Sequence, residues 1–298
     1  MLKEQKLDAT NEQRLHTALQ FQQSDQPEKA LTHYQIILKS YPGHAMILHL
    51  IGITFAQTDQ LDFAIDHFQQ SITKQPNNPI YHASLANAYR RKKNIDHAIE
   101  HFQIALDLNP SLVSAHNNLA LIYFSSDPEK AQSHLEQALK SRPDHCDANY
   151  NLGLLLISRN KHKAKYLFKR VIDVNPSHVS ATFQLAQLYH AEKSYLKALP
   201  LYEKIIDIQP DDPECLNKIG LIHLAQDRFD EGLACLQKAF KINPELTDIH
   251  HNLACLYLHK KEYQKALTHW MKYLKTNQDN DTYYNIGVCY LYLGRYDD

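Results

Sequence analysis

The sequence predicts an all-α protein built from one helical hairpin that is repeated along the chain. Prolines recur every 33 or 34 residues, and their positions give the period: Pro42, Pro76, Pro110, Pro143, Pro176, Pro210 and Pro244. Each proline follows an amphipathic helical pattern, which it ends because it lacks a backbone N–H and restricts the residue before it. A fixed period of this length indicates stacked repeats.

Two rows of small residues share this period. The first row lies on the first helix of each hairpin: Ala18, Gly52, Ala86, Ala120, Gly153, Ala186, Gly220, Ala254 and Gly287. The second row lies on the second helix: Ala30, Ala64, Ala98, Ala131, Ala164, Ala198, Gly232 and Ala266. Small residues at both places allow the paired helices to approach closely, while bulky residues such as Tyr89 and Phe102 fill the space between hairpins.

This lattice of small and bulky residues resembles the tetratricopeptide repeat (TPR) family over residues 11–298. The resemblance implies a right-handed α-solenoid, a superhelix of helix–turn–helix repeats. We expect residues 1–10 to be a polar lead-in to eight full repeats and a truncated ninth. The expected boundaries are 11–44, 45–78, 79–112, 113–145, 146–178, 179–212, 213–246, 247–279 and 280–298.

The ninth repeat has only a first helix, followed by Tyr296 in the register of the preceding turns. This helix is predicted to expose Ile286, Tyr290 and Leu293, although a terminal repeat needs a polar outer face. We therefore expect the sequence to be a fragment of a longer protein. Self-association through this helix is an alternative.

Composition argues against several classes of function. A net charge of −1 gives no general attraction to nucleic acid or to an anionic membrane. No apolar run is long enough to cross a membrane, and the first residues lack the apolar core of a signal peptide. Five cysteines without metal-type spacing indicate reduced thiols in a cytoplasmic protein. The seven glycines form no phosphate-binding loop, so no cofactor is predicted.

In TPR proteins the first helices line the concave face, so their exposed positions are candidate contacts. The sixth position of the last six repeats reads Asn118, Asn151, Gln184, Lys218, Asn252 and Asn285. An amide offers a donor and an acceptor and can therefore pair with a peptide backbone. The row is partly similar to the asparagine ladder in the repeat arm of O-linked N-acetylglucosamine transferases, with Lys218 as an interruption. The alternative is that amides are simply tolerated on a wet helix face.

Aromatic and polar residues at the fifth position run beside this row: Asn117, Tyr150, Phe183, Asn217, His251 and Tyr284. Aromatic side chains in a groove are frequent contacts in protein interfaces. Partial burial against the neighbouring helix is the alternative. The two rows together predict a protein or an extended peptide as the ligand of the groove.

A basic run of residues 90–93, which includes Arg90 and Arg91, ends the first helix of the third repeat. It is suited to an acidic segment of a partner, or it stabilises the negative end of the helix dipole.

Chaperone-tail-binding members of the family use a carboxylate clamp of two asparagines and three cations. Asn87 and Asn118 match the asparagines of this clamp, whereas Ala83, Asp147 and Asn151 occupy the places of the cations. Recognition of a C-terminal carboxylate is therefore disfavoured.

Neither catalysis nor metal binding is predicted. His97 and His101 are one helical turn apart, but no further ligand completes a metal shell. Cys255 and His259 have the same spacing but lack an oxyanion hole and an orienting third group. The sequence favours a scaffold that binds a partner along its concave face. The alternative is the recruitment arm of a larger enzyme, with a glycosyltransferase or methyltransferase domain beyond residue 298.

Overall fold

The computed structural model of the chain describes residues 6–295, so the predicted register of Tyr296 lies outside the described residues. Within this range the chain forms seventeen helices and no strand. Their bounds are α1 Ala9–Gln23, α2 Pro27–Ser40, α3 Ala45–Gln57, α4 Leu61–Lys74, α5 Pro79–Arg91, α6 Ile95–Leu108, α7 Val113–Tyr123, α8 Pro128–Ser141, α9 Cys146–Leu156, α10 Lys161–Val174, α11 Val179–Ala191, α12 Tyr195–Ile208, α13 Pro213–Ala225, α14 Phe229–Ile242, α15 Thr247–His259, α16 Tyr263–Tyr273 and α17 Asn280–Tyr292. The predicted all-α class is confirmed.

The chain divides into two compact units, residues 1–160 and 161–298. The division lies between the two helices of the predicted fifth repeat. In the first unit α1–α2, α3–α4, α5–α6 and α7–α8 are hairpins, and each packs against the helix that follows it. In the second unit the hairpins are α11–α12, α13–α14 and α15–α16, with α10 packed before them and α17 after them. Each unit is thus a stack of helical hairpins, as the period predicts.

The small residues lie where the two helices of a hairpin come closest. A Cβ atom added to Gly52 would lie 2.6 Å from Cε1 of Phe68, which is too close for any side chain. A Cβ atom added to Gly220 would lie 2.9 Å from Cγ of Leu236. Ala98 on the opposite row is fully buried. The predicted role of the small positions in close helix packing is confirmed.

Six turns inside the hairpins hold a residue other than glycine in the left-handed conformation. The φ angles of these residues lie between 55° and 61°. They are Asp25, Asp59, Lys93, Lys193, Asp227 and Lys261. In each turn the next residue donates its N–H to a carbonyl five residues earlier, as Asn94 does to Tyr89 at 2.9 Å. This bond closes the end of the first helix and fixes the direction of the second.

The start of the described chain is bound to the first hairpin. Helix α1 begins at Ala9, inside the stretch that we expected to be a lead-in. Leu7 is buried, and the backbone N–H of Asp8 donates to the hydroxyl of Tyr41 at 3.0 Å. The Asp8 side chain caps the helix by accepting from the N–H of Asn11 at 2.8 Å.

The apolar face of α17 differs from the prediction. Ile286 is only 7% exposed, and Tyr290 and Leu293 pack against the same core, so the expectation that all three are exposed is wrong. The exposed apolar residues are Tyr283, Tyr284, Leu291 and Tyr292. Like the first helices that follow α1, α17 uses its core stripe to pack on the preceding second helix, here α16. Gly287 has no neighbour within 4 Å of its added Cβ, so the open side of α17 is the one that faces a second helix in the other repeats.

Candidate functional site

The predicted groove residues lie on the first helices of both units. The first unit contributes Asn87 from α5, Asn117 and Asn118 from α7, and Tyr150 and Asn151 from α9. The second unit contributes Phe183 and Gln184 from α11, Lys218 from α13, His251 and Asn252 from α15, and Tyr284 and Asn285 from α17. First helices of successive repeats touch at α5–α7, α7–α9 and α13–α15. Equivalent positions on these touching helices therefore lie side by side.

The amides of the first unit are hydrogen-bonded before any ligand arrives. Asn118 is half-buried and donates Nδ2 to the backbone oxygen of Ser114 at 2.8 Å, one turn back in its own helix. Asn151 donates Nδ2 to Oδ1 of Asn117 on the previous first helix at 3.0 Å. Asn117 itself is only 7% exposed. Asn117 therefore orients Asn151 from a buried position, whereas the sequence suggests that Asn117 itself contacts a ligand in the groove.

The second unit repeats this arrangement. Asn252 donates Nδ2 to Oδ1 of Asn217 at 2.8 Å, and both residues are buried. Gln184, Lys218 and Asn285 are half-buried and keep part of their side chains accessible. The pairing of a fifth position with the sixth position of the next repeat was missed from sequence. Asparagine at both positions of adjacent repeats is the signal that could have indicated it.

The aromatic row is mostly packed against the second helices. The ring of Phe183 lies 5.8 Å from that of Tyr202, and the ring of His251 lies 5.2 Å from that of Trp270. Tyr150 is half-buried, whereas Tyr284 is 72% exposed. Partial burial therefore describes three of these side chains, and Tyr284 presents most of its ring to a ligand.

The two arginines of the basic run have different partners. Arg91 donates to the backbone oxygen of Ala56 at 2.6 Å and pairs with Asp59 at 2.8 Å. Arg90 donates Nη2 to Oδ1 of Asn87 at 3.0 Å. Burial, followed by the nearby charge of Arg91, lowers the pKa of Arg90. Arg90 thus lies next to the groove amides, while Arg91 ties α5 to the preceding hairpin.

The two pairs weighed for metal binding and catalysis make other contacts. His97 bonds to Oδ1 of Asn94 at 2.9 Å and packs on Tyr89. Cys255 lies 3.9 Å from Nδ1 of His251, whereas His259 stacks on Phe229. Burial raises the pKa of the Cys255 thiol, which opposes a thiolate nucleophile. In the part of the chain that the structure describes, no group of three or more His, Cys, Asp or Glu side chains could hold a metal ion.

Among residues 6–295, three hairpins contain a pair of histidines in ring contact that sequence reasoning missed. Nδ1 of the first-helix residue lies 2.9–3.1 Å from Nδ1 of the second-helix residue in His82–His101, His116–His134 and His250–His269. In each pair Nε2 of the first histidine lies 2.8–3.0 Å from the carbonyl of the proline that ends the preceding repeat. A carbonyl only accepts, so this Nε2 carries the hydrogen and the Nδ1 of the same ring accepts from the second histidine.

No helix among residues 6–295 has the length and apolar character needed to cross a membrane.

Models of tetratricopeptide repeats match most of the chain. One model, described as a tetratricopeptide repeat, matches residues 17–79, 124–164 and 158–213, which is more than half of the sequence. Others described as TPR or tetratricopeptide repeats match residues 86–127, 213–246 and 235–268. The chain belongs to the tetratricopeptide repeat family. No curated protein matches it significantly in sequence.

Solved TPR structures share the fold. YrrB, described as a TPR protein with an unusual peptide-binding site, is 22% identical, covers 62% of this chain and 96% of its own, and has a TM-score of 0.55. PilF of Pseudomonas aeruginosa is 18% identical, covers 70% and 95%, and has a TM-score of 0.62. A TPR protein from Parabacteroides merdae is 20% identical, covers 82% and 98%, and has a TM-score of 0.52. At these identities the likeness concerns the fold, a helical solenoid of TPR hairpins.

Proposed function

We propose that this TPR protein is an interaction scaffold that binds an extended segment of a partner protein along its first helices. Membership of the TPR family supports a role in protein–protein interaction. The observation that carries the finer proposal is a pair of half-buried amides that hydrogen bonds hold in fixed orientations, Asn118 on Ser114 and Asn151 on Asn117. YrrB, which shares the fold, is described as having a peptide-binding site.

The hydrogen bonds already present leave capacity for a ligand. An amide side chain has two N–H donors and an oxygen acceptor. Asn118 uses one N–H on Ser114, and Asn151 uses one N–H on Asn117. The remaining N–H and the oxygen of each amide match the carbonyl and N–H of a peptide backbone. Because these side chains are already ordered, binding costs less conformational entropy.

The test replaces an amide that supports no other repeat. The side chain of Asn118 bonds within its own helix. We expect Asn118→Ala to change the free energy of unfolding by no more than about 0.5 kcal/mol. The lost contact to a peptide backbone costs roughly 0.5–1.5 kcal/mol of binding free energy, so affinity falls about two- to tenfold.

The probe is a blocked, extended decapeptide of glycine, serine, one leucine and one aspartate, titrated by NMR. The matched control is Gln103→Ala with Gln132→Ala, which removes two amides from the second helices α6 and α8. The control is expected to bind like the parent. Equal affinity of the parent and the groove variant, with the fold intact, would contradict the role of the amides.

A further inference from the structure

A small cavity opens between the first helices of the second and third repeats. Its volume is about 200 Å³. The buried side chains of Phe68 and Ala88 form its apolar base, together with the half-buried Ile53 and Ala56. Polar side chains complete its lining: the half-buried Ser84 and Asn87 and the exposed Gln57 and Arg91. It is therefore an apolar depression with a polar edge on the same helices that carry the groove amides.

The cavity exists because Ala56 has a smaller side chain than the residues at the equivalent position in the other repeats of the first unit. The position four residues after the small residue of the first helix is Ala56 in the second repeat. The other repeats of the first unit hold a larger side chain there: Gln22, Arg90, Phe124 and Ile157. Drug-sized ligands and cofactors occupy pockets of about 300–1,000 Å³. This smaller cavity suits a single side chain.

The amide of Asn87 gives the edge of the cavity a hydrogen-bond donor close to Arg90. Ser84 already pairs with Nε2 of His49 at 2.8 Å, and both ends of the Arg91 guanidinium are bonded to the preceding repeat. Oδ1 of Asn87 accepts from Arg90, while its Nδ2 donates to no other residue of the range 6–295. This N–H is suited to the backbone carbonyl of a chain whose side chain enters the cavity.

Arg90 supplies a positive charge beside this donor. Its Nε atom is buried and has no hydrogen-bond partner within the described chain, and no described carboxylate pairs with its guanidinium. A partly buried charge without a counter-ion gains from an incoming carboxylate, because charge-assisted hydrogen bonds are stronger than neutral ones. The guanidinium is linked to the edge of the cavity through the 3.0 Å bond to Asn87.

We propose that the cavity at Ala56 binds one apolar side chain of an extended partner segment, and that Arg90 binds a carboxylate one or two residues away from it. The proposal rests on the peptide-binding function given above and adds the residue type that is recognised. The partner is thus defined by its chemistry, as an extended segment with an aliphatic anchor next to an acidic residue.

The test uses three blocked decapeptides of glycine and serine, titrated by NMR against the whole chain. One contains leucine followed by aspartate, one has alanine in place of leucine, and one has asparagine in place of aspartate. Burial of the leucine side chain is expected to favour the first probe over the alanine probe by about tenfold or more. The asparagine probe is expected to bind several-fold more weakly at low salt, and this difference shrinks as salt is added.

Variants test whether Ala56 determines the preference for leucine and whether Arg90 determines the preference for aspartate. Ala56→Leu fills the cavity and is expected to abolish the preference for leucine, while Ala56→Val reduces it. Ala225→Leu, at an exposed position at the end of α13, is the matched control and keeps the preference. Arg90→Gln is expected to abolish the preference for aspartate. Circular dichroism melting checks that each variant is folded, and the valine variant keeps the test valid if the leucine variant unfolds.

Equal affinity for the leucine and alanine probes overturns the anchor, as does a leucine preference that survives in a folded Ala56→Leu variant or is undiminished in a folded Ala56→Val variant. If none of the three probes binds at millimolar concentration, the proposed anchor is also overturned. The readout is a ratio between probes, so it is independent of the amide variants. Loss of the ratio in Ala56→Leu with no effect of Asn118→Ala would contradict the amide row and leave the anchor standing.

Discussion

The seventh and eighth repeats form the same kind of helical hairpin but satisfy the carbonyl of the preceding proline in two ways. In the eighth repeat His250 bonds to the oxygen of Pro244 at 2.9 Å and to His269. In the seventh repeat the two histidine positions hold Leu216 and Cys235, and the exposed Lys238 donates to the oxygen of Pro210 at 3.0 Å. The comparison shows that the small and bulky residues determine the hairpin. The hydrogen bond to the carbonyl of the linking proline can come either from a buried histidine or from a lysine on the surface.

The largest expected effect comes from removing half of the internal pair. His250→Leu leaves the oxygen of Pro244 and Nδ1–H of His269 without their partner. An unsatisfied polar group costs about 1–3 kcal/mol when it is buried. Because His269 is half-buried and Pro244 is exposed, we expect the free energy of unfolding to fall by roughly 1–2 kcal/mol. In the seventh repeat Lys238→Met removes only a surface donor and is expected to cost less than about 0.5 kcal/mol. Urea denaturation of both variants measures the contrast, and equal losses would mean that the two solutions do not differ in energy.

Acid is expected to weaken the eighth repeat more than the seventh. Burial, followed by the neighbouring His250, lowers the pKa of His269 to about 4, from an ordinary value near 6.5. Between these two values the unfolded chain binds more protons than the folded chain, so stability is full above about pH 6.5 and falls as the pH drops toward 4.

Because the ring of His269 is only half-buried, we expect a loss on the order of 1 kcal/mol for this site between pH 7 and pH 4.5. Melting curves at both pH values test it, with His250→Leu/His269→Cys as the comparison that lacks the site. A pH dependence that is identical in the parent and in this double variant would contradict the assignment.

The smallest effect is expected when the whole pair is exchanged. The double variant His250→Leu/His269→Cys gives the eighth repeat the side chains of the seventh. Replacing both partners of a hydrogen bond by apolar groups is nearly neutral. Because Pro244 is exposed, water can bind its oxygen once His250 is absent, so the stability of the double variant at pH 7 should lie within about 1 kcal/mol of the parent. A double-mutant cycle with the single variants measures the coupling of the two rings. A double variant as unstable as His250→Leu alone would show that the bond to Pro244 dominates and the partner ring matters little.

The hairpins were predictable from sequence because Ala98, Gly52 and their equivalents recur in every repeat and act through local close packing. The histidine pairs were not, because their partners are 18 or 19 residues apart and, within the described range, occur in three hairpins. Spacing within one helix pointed instead to His97 and His101, which bond to different residues. Asn117 was expected in the groove but is buried, since its exposure depends on how closely α7 and α9 approach. That distance cannot be obtained from the pattern of one repeat.

The six left-handed turns affect the stability of the protein but lie apart from the face that we propose binds a partner. Holding an L-residue with a side chain in this conformation costs roughly 1–2 kcal/mol, a cost that glycine avoids. Lys93, Lys193 and Lys261 are therefore positions where one substitution can raise stability. They lie in the turns, outside the amide row and the cavity. A lineage of this protein can thus compensate for a destabilising change in the binding face without altering that face again, which makes new specificities easier to evolve.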